Sequence, residues 1–290
     1  MKTILDLETK RGTGIHFLNG KLVSEEQLNI SPRDVGFSRG YAVFDFLKTY
    51  PPHRPFKLKE HIDRLFNSAN LIGLKIPWSQ EQVRKWVLET LEANQSNEEK
   101  FIKIIISGGV SNTMLPSENP TIVILVDPAV QYPKEWYENG VGVISVKHER
   151  YCPSAKSNNY IEGVKQTQRA KTTGAVEPIY YSDTQVFEGS NSNVFAVIND
   201  KLLTPKTGVL AGITRAVLLE ILKLDISVEV RDFTLDDLFR AKEVFLTGSG
   251  KEIVPVTSID SQLINDGKVG PITKEVMRQF AEYVNSDLWK

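Results

Sequence analysis

A lysine, a glutamate and two runs able to point backbone N–H groups at an anion are the residues of this chain with chemistry open to them. Lys156 lies in Ala155-Lys156-Ser157-Asn158-Asn159-Tyr160, among small and amide residues and shortly after Arg150, apart from the charged face that carries Lys165, Arg169 and Lys171. Most lysines are solvated and inert. One that condenses with an aldehyde must be partly desolvated so that its neutral amine is accessible, and a tight polar turn can provide that setting. Glu188 opens Glu188-Gly189-Ser190-Asn191-Ser192-Asn193-Val194-Phe195, between two strand-like runs. Alone the string reads as turn chemistry. Facing an aromatic ring nitrogen, the same carboxylate keeps that nitrogen protonated and lets the ring draw electrons from a substrate carbon. Leu210-Ala211-Gly212-Ile213-Thr214-Arg215 stands where an amphipathic helix begins, with Val217, Leu218, Ile221 and Leu222 inward. Free N–H groups at a helix start bind phosphate, and Gly212 allows close approach; Thr214 by itself reads as an ordinary helix cap. Phe245-Leu246-Thr247-Gly248-Ser249-Gly250 runs from a strand into a Gly-rich turn, either a plain turn or, through Ser249 and its neighbours' amides, a further set of phosphate donors. Together the four features describe a site for a phosphorylated, electron-withdrawing aldehyde cofactor.

The elements that must position these residues are a mixture of strands and helices. Asn19-Gly20 between Gly14–Phe17 and Lys21–Val23 predicts a hairpin. Val43–Tyr50, Phe101–Ser107 and Thr121–Val126 read as strands, while the apolar spacing in His61–Leu74 and Trp78–Ala93, the latter capped by Ser79, predicts helices. Pro128 and Pro133 bracket a break at 127–133, the expected linker between a small domain at 1–126 and a larger one at 134–290 that carries Lys156. In the second half, strands are expected at Val141–Lys147, Pro178–Tyr181, Val186–Phe187, Val194–Val197, Val228–Val230 and Glu243–Leu246, with a hairpin through Asn199-Asp200. Helices are expected at Tyr160–Thr172, with Ile161, Val164 and Ala170 setting its face, at Thr214–Leu224, after Thr234, and at Ile272–Val284. Without strict βαβ alternation, the class is α+β rather than one doubly wound sheet.

Composition excludes several other functions. Thirty-five basic residues against 36 acidic ones, with no block of like charge, offer neither a nucleic-acid groove nor a polybasic membrane patch. A single cysteine, Cys152, rules out an internal disulfide framework and fits a reducing compartment. The stretch Met1–Thr13 reads as neither a signal nor a transit peptide, so a cytoplasmic protein is expected. Four dispersed histidines and one cysteine give no metal-ligand spacing, and no metal is expected.

Motifs spread along the chain add a resemblance. Phe17-Leu18-Asn19-Gly20, Asp34-Val35-Gly36-Phe37, Val43-Phe44-Asp45, Glu60-His61-Ile62-Asp63-Arg64-Leu65 and Asp266-Gly267-Lys268-Val269-Gly270-Pro271, with the four runs above, resemble the class IV aminotransferases. This is the fold-type IV pyridoxal 5'-phosphate group, which includes branched-chain aminotransferases, D-amino-acid aminotransferases and aminodeoxychorismate lyases. The resemblance implies two α+β domains with the cofactor between them and a homodimer whose partner loops reach each active site. It implies Lys156 as the Schiff-base lysine and proton shuttle, Glu188 as the partner of the pyridine nitrogen, and Arg64 on the phosphate. Gly212, Ile213, Thr214 and Ser249 would complete the phosphate cup, Leu210 would pack on the ring, and Tyr160 would approach the ring hydroxyl.

The implied reaction moves an amino group between an α-amino acid and a 2-oxo acid in two half-reactions, with Lys156 making both proton transfers by proximity. D-amino-acid aminotransferases usually carry an Arg and a His in the loop after the Phe101 strand; here it reads Ser107-Gly108-Gly109-Val110-Ser111-Asn112-Thr113-Met114. The branched-chain enzymes commonly have Glu-Gly-Ile-Arg where this chain has Asp45-Phe46-Leu47-Lys48. Arg39, Lys48 and Arg150 are the cations that could hold the substrate carboxylate, and Phe37, Phe44 and Phe46 would suit a hydrophobic side chain. The expected substrate is a hydrophobic α-amino acid of either hand. Two rivals are an aminodeoxychorismate lyase releasing pyruvate and 4-aminobenzoate, and a non-catalytic small-molecule-binding protein on the same fold.

Overall fold

Asn19 and Gly20 both take positive φ, 46° and 94°, the backbone a two-residue hairpin turn demands, and they join β1 (Ile15–Leu18) to β2 (Lys21–Ser24). The computed structural model describes residues 14–286, 288 and 289; the expectation for Met1–Thr13 lies outside them. By backbone proximity the described residues form two units, one of residues 14–130 with 154–160 and the other of Gln131–Pro153 with Ile161–Trp289.

The first unit continues through α1 (Val35–Arg39), β3 (Ala42–Tyr50), β4 (Arg54–Pro55), α2 (Leu58–Leu71), α3 (Gln80–Glu92), β5 (Lys100–Ser107) and β6 (Thr121–Pro128). Its six strands make an antiparallel sheet in the order β2-β1-β6-β5-β3-β4. Alternation along β5 sends Ile102, Ile104 and Ile106 to one face, where they join Val43 and Leu47 of β3 beneath Ile62 and Leu65 of α2 and Val83 and Val87 of α3. Ser79 caps α3 as expected, accepting from the Gln82 N–H at 3.1 Å. The other face of β3 and β5 carries Phe44, Phe46, Lys48, Phe101 and Lys103, all half-buried. β6 runs two residues into the expected break, because Phe101 pairs with Asp127 and Lys100 with Pro128 at the strand end, where a missing proline N–H is tolerated.

The second unit holds α4 (Lys134–Glu138), β7 (Val141–Lys147), α5 (Ile161–Thr172), β8 (Pro178–Tyr181), β9 (Val186–Gly189), β10 (Asn193–Ile198), β11 (Lys201–Thr204), α6 (Ile213–Ile221), β12 (Ser227–Val230), α7 (Leu235–Phe239), β13 (Glu243–Gly248), β14 (Glu252–Ile259), β15 (Gln262–Leu263) and α8 (Pro271–Asn285). Its sheet follows the order β12-β11-β10-β13-β14-β7-β8-β9, with β15 beside β14. β9 also pairs with β10 through Glu188 and Asn193, so six strands, β10-β13-β14-β7-β8-β9, close on themselves. Val143, Ile179, Val194, Leu246 and Val254 lie in the core of this unit.

Three expectations are corrected here. In α5 the inward line is Gln166 and Ala170; Ile161 is 81% and Val164 56% exposed, because two residues of helix turn Val164 to the side opposite Gln166. α6 stops at Ile221 and not Leu224, since the Gln279 side chain takes both the N–H and the C=O of Lys223 and holds that residue out of the helix. β14 was not expected at all: Pro255 lies inside it, opposite Phe245, and masks the strand pattern.

Candidate active site

Lys156 is held by its backbone on both sides. Segment 154–160 adds to the edge of β3, where the Phe44 N–H donates to the Lys156 C=O at 2.9 Å and the Asn158 N–H to the Ala42 C=O at 2.9 Å. The Lys156 N–H donates to Ser68 Oγ at 3.0 Å, and that hydroxyl donates to the Arg64 C=O at 2.8 Å, which ties the lysine to α2. The amine then lies 4.6 Å from the centre of the Phe44 ring, against which Tyr160 packs edge-on at 5.6 Å. Lys103 brings a second amine to the same ring at 5.0 Å, and burial holds its pKa below the usual lysine value. Sequence reasoning passed over Lys103; its place opposite Phe46 in the β5 register is the signal that could have found it.

Arg64 lies inward. Its Nε and Nη2 donate to the two oxygens of Asp45 at 2.9 and 2.8 Å, and His61 Nδ1 donates to Asp45 Oδ1 at 2.6 Å. Asp45 is wholly buried. Burial pushes its carboxyl up, but the Arg64 and His61 charges and hydrogen bonds outweigh that and hold it well below the usual carboxylate range. Burial pushes the His61 imidazole down, aided by the charges of Arg64 and Lys156 and opposed by Asp45. His61 Nε2 is buried with no hydrogen-bond partner among the described residues. With Nδ1–H on Asp45 and the ring neutral, that nitrogen is an acceptor. This triad was also missed, although an acidic residue at an inward strand position, followed by His and Arg three apart on an inward helix face, is a readable pattern.

The second unit fixes Glu188. The residue is 3% exposed; Arg150 Nη1 donates to Oε1, while Asn193 Nδ2 and the Leu210 N–H donate to Oε2 at 3.2 and 2.9 Å. Asn193 also donates to the Leu210 C=O at 2.9 Å, so Leu210 and Glu188 share one clamp. Behind it, buried Glu177 accepts from Lys251 Nζ, from Ser192 Oγ at 2.9 Å and from Ser190 Oγ at 3.2 Å, which pins the turn between β9 and β10. Gly212 is the N-cap of α6 and gives no side-chain cap, so the first-turn N–H groups at Ile213 and Thr214 are left for another acceptor. Thr214 itself sits inside the helix, two positions past the cap, which is Gly212. Ser249 lies in the turn after β13, and Thr247 Oγ1 on that strand is buried without a partner among the described residues.

Of the other cations, Lys48 pairs with Glu99 at 2.9 Å, Arg150 pairs with Glu188, and Arg39 ends α1 in an exposed position. Phe37 is exposed, whereas Phe44 and Phe46 share the half-buried face of β3. Within the first unit a basic amine lies beside an aromatic ring near a buried arginine; within the second a buried carboxylate is clamped near a helix start without a side-chain cap. No group of three or more His, Cys, Asp or Glu side chains among the described residues could hold a metal ion.

Gly212 is the tightest requirement. A Cβ there would overlap Asn193 Oδ1, so Gly212→Ala must push Asn193 off Glu188. We expect this variant to lose about 1–3 kcal/mol of stability, the usual cost of overpacking, in urea denaturation; an unchanged midpoint would show that Asn193 can move aside freely.

The family model described as "Amino-transferase class IV" matches residues 42–259. A Methanocaldococcus jannaschii protein named "Putative branched-chain-amino-acid aminotransferase" is 36% identical over 92% of this chain and 95% of its own. The D-alanine aminotransferase of Staphylococcus aureus is 31% identical, with 93% and 98% covered. The T.th. branched-chain amino acid aminotransferase, solved with pyridoxamine 5'-phosphate, superposes with a TM-score of 0.88 at 27% identity, covering 95% of each chain.

Proposed function

The chain belongs to the class IV aminotransferase family, and from that premise we propose that it moves an amino group from a hydrophobic α-amino acid to a 2-oxo acid with pyridoxal 5'-phosphate as its cofactor. The observation that carries this reading is Lys156, whose backbone is bonded through both its N–H and its C=O while its amine lies at an aromatic ring. The apolar face of Phe44, Phe46 and Phe101 supports a hydrophobic substrate, with the Phe46 and Phe101 rings 4.9 Å apart. Loop 107–114 lacks the Arg and His of the usual D-amino-acid trap.

When bound, the cofactor supplies an aldehyde that takes up the substrate amine and an electron-poor ring that draws charge from the α-carbon. Lys156 would hold it, and its amine would carry the α-proton to the neighbouring carbon, acting through proximity. Glu188 keeps a proton on the ring nitrogen. Arg64, the N–H groups of Ile213 and Thr214, and Ser249 hold the phosphate, with Gly212 giving their backbone access. Leu210 would pack on the ring and Tyr160 would meet its hydroxyl, while the Asp45 carboxylate orients Arg64. We further propose the domain division 1–126 and 134–290 about a linker at 127–133, except that segment 154–160, with Lys156, belongs to the first unit, and we propose a cytoplasmic location and a homodimer. No helix among the described residues is long and apolar enough to cross a membrane.

The test is to add single L- and D-amino acids to cofactor-loaded protein and follow its visible spectrum, measuring 2-oxo acid alongside. We expect one enantiomeric series to convert the spectrum to the amino form, with one 2-oxo acid released per subunit. No response to either series, with pyruvate released from aminodeoxychorismate, would replace the transaminase with the lyase.

A further inference from the structure

Arg150 was considered a cation for the substrate carboxylate, but its guanidinium is engaged elsewhere. It donates to Glu188 Oε1, and the pair is secluded: the two side chains are 16% and 4% exposed. Asn193 and the Leu210 N–H already fix the orientation of Glu188 through Oε2. What Arg150 adds that those neutral donors cannot is charge. We infer that Arg150 is a positioning residue that sets how tightly the cofactor ring nitrogen holds its proton, by placing a positive charge on the far oxygen of the Glu188 carboxylate. The inference rests on the reading that Glu188 faces that nitrogen.

A buried carboxylate beside a basic nitrogen stabilises the protonated ring, and a cation on the same carboxylate offsets part of that field. The sign is therefore fixed: with Arg150 present, the nitrogen gives up its proton at a lower pH than Glu188 alone would require. Other charged groups described in this unit are engaged with partners of their own. Arg215 on α6 interacts with Glu188 through space, but its own side chain donates to Thr204 Oγ1 and the Pro205 C=O. Glu177, next to Gly189, is paired with Lys251, and His148 after β7 packs edge-on against Tyr180. Arg150 Nη1 is a charged hydrogen-bond donor to Glu188. A moderated hold on the ring-nitrogen proton would suit a transaminase, which must take a proton from one carbon and return it to its neighbour.

The experiment loads wild type, Arg150→Met, Arg150→Lys and Glu188→Gln with cofactor labelled with nitrogen-15 in the ring, and follows the nitrogen chemical shift against pH. Arg150→Met should move the loss of the ring proton upward by about one pH unit, the low end of the effect of a nearby charge, and Arg150→Lys should track wild type because it restores the charge. Superimposable curves for Arg150→Met and wild type, including both nitrogens staying protonated throughout, overturn the inference while leaving Glu188 in place. A Glu188→Gln shift identical to wild type instead overturns the placement of Glu188 at the nitrogen, and the inference with it.

Discussion

Lys156→Ala should eliminate the visible absorption of lysine-bound cofactor and reduce turnover by about 10,000-fold or more, the upper end for one positioned acid–base group. On the proposed role two losses would coincide in this variant, the covalent attachment and the amine that carries the proton. The fold should survive. The bonds that hold segment 154–160 on β3 come from the backbone of Lys156 and Asn158, and the bond to Ser68 comes from the Lys156 N–H, none of which alanine removes. Circular dichroism and urea denaturation should therefore match wild type within about 1 kcal/mol, the size of a change that leaves burial and backbone bonds intact. Turnover near wild type would sink the assignment of Lys156, and a variant that cannot fold would show that its amine serves packing.

Asp45→Ala should cost about 3–5 kcal/mol, the effect of removing one partner of a buried ion pair. It strands the Arg64 guanidinium and the His61 Nδ1 in the interior, without the carboxylate that both now address. Cofactor retention should fall as well, because the carboxylate that accepts from both Arg64 Nε and Nη2 is then gone. The acid limb of stability separates the two titrating members. His61 is pushed below its ordinary value in the folded state, so the unfolded chain takes up protons first and stability begins to fall as pH drops below about 6.5. Asp45 is held below the usual carboxylate range, so its contribution is complete above about pH 4 and is lost only as acid drives the pH toward its folded value. Urea denaturation of Asp45→Asn across this range should lack the second limb and keep the first. A stability curve that bends only below pH 4 in both proteins would mean that His61 is charged in the fold.

Local chemistry was legible wherever neighbours in sequence decide it. The Asn19-Gly20 turn, the Ser79 cap and the hairpin at Asn199 and Asp200 were readable because a few adjacent dihedrals specify them. The start of α6 was readable for the same reason, to within one residue. β14 was not, because Pro255 looks like a break until the pairing with Phe245 is known. The face of α5 was misread because Ile161 and Val164 are apolar, and type alone does not tell which side meets the sheet. Site residues divide along the same line. Lys156, Glu188 and Gly212 stand in local motifs. Asp45 and Arg150 take their meaning from partners 19 and 38 positions away, and neither spacing is written in the segments themselves.

The closed circuit of six strands in the second unit bears on what can vary around Glu188. An open sheet can shed or fray its outermost strand, but β9 has a neighbour on each side, β8 and β10, and so has no loose border from which to peel. Lengthening the turn between β9 and β10 would break the seam at Glu188 and Asn193, whereas the turn at Asp260 and Ser261 leads only to the short appendage β15. Insertions should therefore be tolerated on such appendages and not at the seam: the part of the protein proposed to govern electron withdrawal is built as a hoop, and additions fit only on its rim.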